Sequence, residues 1–259
     1  MDDLACGGDE VDGAARLIPL LRLLLVGSLV ALLELACRRG WVAATAVIPP
    51  SAMVAALWGL LASGAVTADL MATLGRVGAA AGLSVLGGGA LGLALHGWPR
   101  ARGAVGPVLE SWYAIPTVMF YPALIVAFGV GGGAIVAIAV LLAGVAMVSS
   151  TLTGLDRVPA VLLRTAAAMR LGRGATAWRV RLPAAAPYLF TGVKLVVAYA
   201  FIGVIAAEFI LSGSGLGYAI ANAYNNFDNG TMYGLMLLIV LLVVGVNAAL
   251  QAVDDGWRR

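Results

Sequence analysis

Six stretches of this sequence are apolar enough, or nearly so, to cross a bilayer: residues 17–37, 75–96, 107–128, 132–150, 188–211 and 232–252. A helix needs about 20 such residues to cover the hydrocarbon core, and every backbone polar group within lipid must be bonded internally. The fold these stretches permit is an all-α polytopic membrane bundle of about six transmembrane helices. Charge supports it: only 11% of the 259 residues are charged, against about 25% in soluble domains. The 34 glycines suit spans whose backbones pack closely through small residues. The first span holds Arg22 and Glu34 within snorkelling reach of its ends. The third holds Pro116 and Pro122, which predict a bent or broken helix. Between spans one and two, "VIPPSAMVAALWGLLASG" is too short to cross, and Pro49-Pro50 and Gly64 bracket it as a short interfacial helix.

Six spans put both termini on one side, and the arginines choose the side. With the N-terminus inside, the cytoplasmic face receives Arg16, Arg100, Arg102, Arg157, Arg164, Arg170, Arg173, Arg179, Arg181, Arg258 and Arg259. The outer face receives Arg38, Arg39 and Arg76, and eleven against three predicts N-in, C-in. The same distribution accounts for the pI near 9.1 without nucleic acid, because the basic residues flank apolar segments. Cys6 and Cys37 have no spacing for a metal or a disulfide framework. The acidic start "MDDLACGGDEVDGAAR" lacks the positive region of a cleavable signal, so the first apolar segment reads as a retained span. The expected organisation is a cytoplasmic tail, 1–16, and one transmembrane domain, 17–259, with a core over 72–252 and a cytoplasmic loop over 151–187.

That loop contains "TAAAMRLGRGATAWRVRLPAAAP" (165–187), and its six arginines face a single acid, Asp156. Charge alone would serve as a topology signal lying on anionic lipid. The segment also carries a helix of alanines, a turn at Leu171-Gly172-Arg173-Gly174, a second helix through Trp178 and a stop at Pro183. A topology signal does not need that architecture, whereas a docking element does.

The loop resembles the cytoplasmic coupling loop of bacterial ATP-binding-cassette importer permeases, patterned E-A-A-x-x-x-G, nine residues, then I-x-L-P. Val180-Arg181-Leu182-Pro183 stands for I-x-L-P. Ala167, Ala168 and Gly172 reproduce A-A-x-x-x-G with a gap two residues short; with the full gap, Arg164 takes the Glu position and Arg170 the Gly position. The acidic residue is missing either way. "ATLGRVGAAAGLSVLGGGALGLALHGWPRAR" (72–102), "YAIPTVMFYPALIVAFGVG" (113–131), "TGLDRVP" (153–159) and "AAEFILSGSGLGYAI" (206–220) resemble, in order, segments of the nitrate/sulfonate/taurine-type permeases.

The resemblance covers about residues 48–252 and implies a type I importer permease of a bacterial inner membrane. It implies a homodimer, two ATPase subunits that bind ATP and Mg, and an extracytoplasmic binding protein that delivers a small anion such as a sulfonate, taurine or nitrate. The docking residues it implies are Arg164, Ala167, Ala168, Arg170, Gly172, Arg173, Arg179, Leu182 and Pro183.

The residues agree that this chain performs no chemistry itself. The only lysine, Lys194, lies outside any phosphate-cradling glycine loop, and the only histidine, His96, has no ligand cluster beside it. The run Gly87-Gly88-Gly89 reads as a packing surface. Glu208 inside span five is either a path or gate residue, or a packing residue near the outer face. Pro116, Tyr121, Ser212, Gly215 and Tyr218 join it as path or gate candidates; "SGSGLGYAIANAYNNFDNGTMY" reads as an outside loop without Lys or Arg. The alternative is a self-contained secondary transporter or channel, but no internal repeat appears and only Glu208 provides an intramembrane acid.

Overall fold

The computed structural model describes the backbone of residues 7–43 and 46–257, and the side chains of all of these except residues 7–20, 22, 23, 173 and 257. Among the described residues all regular structure is helical. The expected tail over 1–16 lies partly outside them, and from Gly7 onward the chain is already helix: α1 runs Gly7–Arg38. Cys6, Arg258, Arg259 and the side chains of Arg16, Arg22 and Arg173 lie outside the described residues.

The expected interfacial helix is α2, Pro50–Ala62, closed by Gly64 at φ 70. Glu34 of α1 accepts the Ser51 N–H (2.9 Å) and pairs with Arg38 (2.6 Å), which fixes α1 to the first turn of α2. α3, Thr67–Gly97, begins eight residues before the expected span. That extension sets Arg76 well inside the helix rather than at the very start of the span.

The third expected span is severely broken. α4, Pro99–Trp112, and the segment Thr117–Phe128 (a 3₁₀ turn followed by α5, Tyr121–Phe128) meet at 106°. α6, Gly132–Asp156, and α9, Leu182–Leu211, form the centre of the molecule with α3. Between α6 and α9 lie α7, Ala160–Ala168, and the short α8, Arg173–Thr176. α11, Asn229–Trp257, is the last span. The expected outside loop proves to contain a helix, α10, Leu216–Asn225. Its Leu216, Ile220 and Ala223 are buried with Met232 and Leu235 of α11, and this apolar stripe is why it folds back on the bundle.

Small residues set the helix spacing. Val77 and Ala80 of α3, Ile135, Ile138, Ala139 and Ala143 of α6, and Val196, Ala200, Val204 and Ala207 of α9 form one core. A Cβ on Gly88 would lie 2.7 Å from the Gly144 carbonyl, one on Gly92 2.7 Å from Thr151, and one on Gly203 2.8 Å from Ala139. Gly88 and Gly92 are therefore the packing positions of α3, whereas a Cβ on Gly87 would meet nothing within 4 Å. Lys194 of α9 bonds Asp254 (2.7 Å) and Gln251 (3.0 Å) of α11, a clamp between the last two spans.

Candidate functional site

On the loop side, α7 ends in a Schellman motif. The Leu171 N–H bonds the Ala166 carbonyl (3.0 Å), the Arg170 N–H bonds Ala167 (2.9 Å), and Arg170 takes φ 52. The left-handed residue is thus Arg170 and not Gly172, whose φ is not positive and where an added Cβ would meet nothing within 4 Å. A glycine-demanding turn at Arg170 favours the register with the full gap, which sets Arg164 at the acidic position and Arg170 at the glycine position.

Pro183 is likewise not a stop. The helix from Gly174 continues to Leu211 through a π-turn at Ala177–Arg181, and Pro183 occupies the first turn of α9. Proline lacks an N–H and crowds the carbonyl four residues back, and a wider π-turn there relieves both.

Arg164, Ala167, Ala168, Arg170, Arg179 and Pro183 are exposed, Leu182 is half-buried, and Ala166 is the buried residue of α7. A cleft of about 270 Å³ between α7 and the π-turn is lined by Leu163, Ala167, Leu171 and Arg181. Around it Val161, Met169 and Trp178 are 65%, 68% and 76% exposed. The surface is apolar at its anchors and cationic at its rim. Its base is tied to the spans: Arg102 of α4 forms a two-pronged pair with Asp156 (2.8 Å), His96 lies 3.5 Å from Asp156, and Arg181 lies 3.5 Å from the other His96 ring nitrogen. Because Arg181 only donates, a hydrogen bond at this contact requires His96 Nε2 to accept.

At the opposite end of the bundle, Glu208 is fully buried. Its Oε1 accepts from Arg76 Nη1 (2.6 Å), and its Oε2 accepts from the Thr73 hydroxyl (2.7 Å) and the Gly217 N–H (3.1 Å). Arg76 also donates to the Ser214 carbonyl (2.8 Å) and hydroxyl (2.7 Å), Thr73 accepts the Leu216 N–H (2.8 Å), and Asp69 accepts the Gly215 N–H (2.7 Å). The Ser212 hydroxyl bonds the Ser214 carbonyl, and the Tyr121 hydroxyl donates to the Leu211 carbonyl at 3.3 Å. A Cβ on Gly215 (φ 104) would lie 2.4 Å from the Glu208 carboxylate, and one on Gly217 2.5 Å from the Ile205 carbonyl.

Tyr121, Glu208, Ser212 and Gly215 therefore gather at one staple between α3 and the α9–α10 junction. Pro116 lies apart at the helix break, and Tyr218 lies apart in a pocket of about 240 Å³ with Asp69, Asn222, Asn226 and Asp228. Sequence reasoning missed Asp69, Thr73 and Arg76. Their spacing, i, i+4 and i+7, is one helical face and was a readable signal.

The family described as binding-protein-dependent transport system inner membrane component matches residues 84–258. The chain belongs to this family. It is similar to the taurine transport system permease protein of Escherichia coli (strain K12), 26% identical over 80% of this chain and 72% of the relative. A nitrate import permease protein of Leptolyngbya laminosa is 26% identical over 72% of this chain and 69% of the relative. A probable ABC transporter permease protein of Brucella melitensis is 30% identical over 75% of this chain and 79% of its own. Among solved structures, a chain of the MetNI methionine ABC transporter, in an inward-facing conformation, superposes with a TM-score of 0.65 at 18% identity, over 71% of this chain and 92% of its own. The fold is that of a type I importer permease. As a member of the family, the chain is a non-catalytic, multi-pass inner-membrane subunit of an ABC importer, and separate subunits hydrolyse ATP.

Proposed function

We propose that this permease forms, as a homodimer with two ATPase subunits, the path for a small anion such as a sulfonate, taurine or nitrate handed over by a binding protein. Both termini face the cytoplasm. The taurine and nitrate permeases among its relatives support the substrate class. In this reading the face made by Arg164, Met169, Arg170, Trp178 and Arg179 docks on the ATPase, with the side chain of Arg173 as a further contact.

The observation that carries the coupling reading is the unbroken helix from Gly174 to Leu211. A force applied at Trp178 reaches the Glu208 staple through one rigid element. Closure of the ATPase pair below becomes tilting of α9 above, a rigid-body transition. Glu208 serves here as the far anchor of that lever.

The test reconstitutes the permease with the ATPase and binding protein encoded beside it, and screens that binding protein with taurine, nitrate and glycine betaine. Stimulated hydrolysis with an anion supports the proposal; exclusive response to glycine betaine rejects the substrate class. Trp178→Ala should reduce ATPase co-purification at least several-fold, as loss of a buried aromatic anchor does. Undiminished co-purification and transport would make the loop a topology signal only.

A further inference from the structure

The break in the third span has a chemistry of its own. Tyr113 follows α4, and its ring lies 5.8 Å from that of Tyr199 on α9, centroid to centroid, tilted by 31°. Tyr199 sits twelve residues before the outer end of α9 at Leu211, about 18 Å below it at 1.5 Å per residue. The neighbouring Trp112 donates its indole N–H to the Leu141 carbonyl (2.9 Å), nine residues into α6 from Gly132, about 14 Å down. Both measures place the break near the middle of a hydrocarbon core about 30 Å thick.

The backbone there is irregular and exposed. Ala114 N–H bonds Ser111 (3.1 Å) and Ile115 N–H bonds Trp112 (3.0 Å), while among the described residues no backbone donor reaches the carbonyls of Tyr113, Ala114 and Ile115. Tyr113 is 43% exposed, and Ala114 and Pro116 are exposed with it. Unpaired carbonyls at this depth do not face lipid; they face protein or a water-filled cavity. The break is also held rigidly, because Trp112 stacks on Phe120 at 6.1 Å besides bonding Leu141.

We infer that this break and the Tyr113–Tyr199 pair line a wet, mid-membrane stretch of the translocation path and contact the passing solute. This rests on the importer reading above. The ligand class is a compact solute with acceptor oxygens, such as a sulfonate, carboxylate or nitrate. Tyrosine hydroxyls donate to such oxygens, and Ser149 of α6 adds a hydroxyl beside Tyr113. Of the nearest cations along the bundle, Arg76 is engaged by Glu208 and Lys194 by Asp254. The contact is then made by neutral donors, which hold an anion weakly enough to release it.

The experiment uses the full chain with Cys6 and Cys37 replaced by serine, assembled with its ATPase and binding protein in membrane vesicles. Tyr113→Cys and Tyr199→Cys are each exposed to 2-sulfonatoethyl methanethiosulfonate, a water-soluble sulfonate that modifies thiols, and to a lipid-soluble maleimide. The expected result is modification of Tyr113→Cys by the sulfonate reagent, with at least a several-fold loss of transport on modification. Tyr113→Phe should lower transport several-fold while the ATPase still co-purifies. Labelling by the maleimide alone places the break in lipid, labelling by neither places it inside protein, and full transport by Tyr113→Phe removes the solute contact; each overturns the inference. Failure of the underlying reading looks different: the unsubstituted assembly would show no hydrolysis stimulated by the loaded binding protein.

Discussion

Gly215, Gly217 and Arg170 are each fixed by a different physical constraint. At Gly215 the positive φ and the Glu208 carboxylate exclude any Cβ, and at Gly217 the Ile205 carbonyl does the same. Gly217→Ala should therefore destabilise the bundle by about 2 kcal/mol or more, in the range of overpacking with a backbone clash, read as a lower unfolding temperature in detergent. Glu208→Gln leaves the half-buried Arg76 without its counter-charge, a loss of up to about 3–5 kcal/mol, the range for breaking a fully buried pair; near-native thermal stability of that variant would contradict the staple. Arg170 holds a left-handed conformation that costs a residue with a Cβ about 1–2 kcal/mol. Arg170→Gly should increase hydrogen-exchange protection of α7, whereas Gly172→Leu should leave the turn unchanged, because its Cα faces open space.

Among the elements, α11 and α9 carry the sharpest tests. The Asp228 carboxylate caps α11 by accepting the Thr231 N–H at 3.0 Å. The Thr231 hydroxyl, its N–H and the Gly230 N–H hold this carboxyl below the usual range against a small opposing effect of burial. A carboxyl lowered on folding contributes stability above its unfolded pKa and loses it as pH falls through the folded one. The first turn of α11 should accordingly fray in acid, with faster amide exchange at Thr231 and Met232. Asp228→Ala should abolish that pH dependence and cost about 1 kcal/mol, as helix caps do. For α9 the prediction concerns the lever: replacing both Arg179 and Val180 by glycine costs about 1 kcal/mol per residue of helix stability. Solute-stimulated hydrolysis should then fall well below that of the parent; undiminished stimulation would separate coupling from helix continuity.

For the whole molecule, orientation is the property to measure. In the proposed N-in, C-in orientation the outer face carries Arg38 and Arg39, while Arg76 is held in the staple by Glu208. Asn225→Cys should react with an impermeant thiol reagent from outside only, and Arg173→Cys from the cytoplasm only. Reversed accessibility at either position would invert the topology. The ion pairs lie at the two ends of the bundle: Arg76–Glu208 at one, and Arg102–Asp156, with His96 and Arg181 beside it, at the other, under the loop of α7 and α8.

What the sequence determined by itself is what depends on local composition and order. Apolar length specified membrane helices, prolines located the break near Pro116, Pro49-Pro50 and Gly64 bounded α2, and ordered motifs pointed to the permease family. The tertiary structure alone decided what depends on partners distant in the chain. Glu208 read alone is equally a gate or a packing acid; Thr73 and Arg76, more than 130 positions away, take up its oxygens. "SGSGLGY" read alone is a flexible loop, but the approach of α9 makes Gly215 and Gly217 its tightest contacts. Pro183 read alone ends a helix, and a π-turn lets the helix continue through it. The break itself was predictable from proline, but its partner was not: only the packing of α9 beside the break sets Tyr199 near Tyr113. Burial changes what a side chain can do, and burial is a property of the assembled helices.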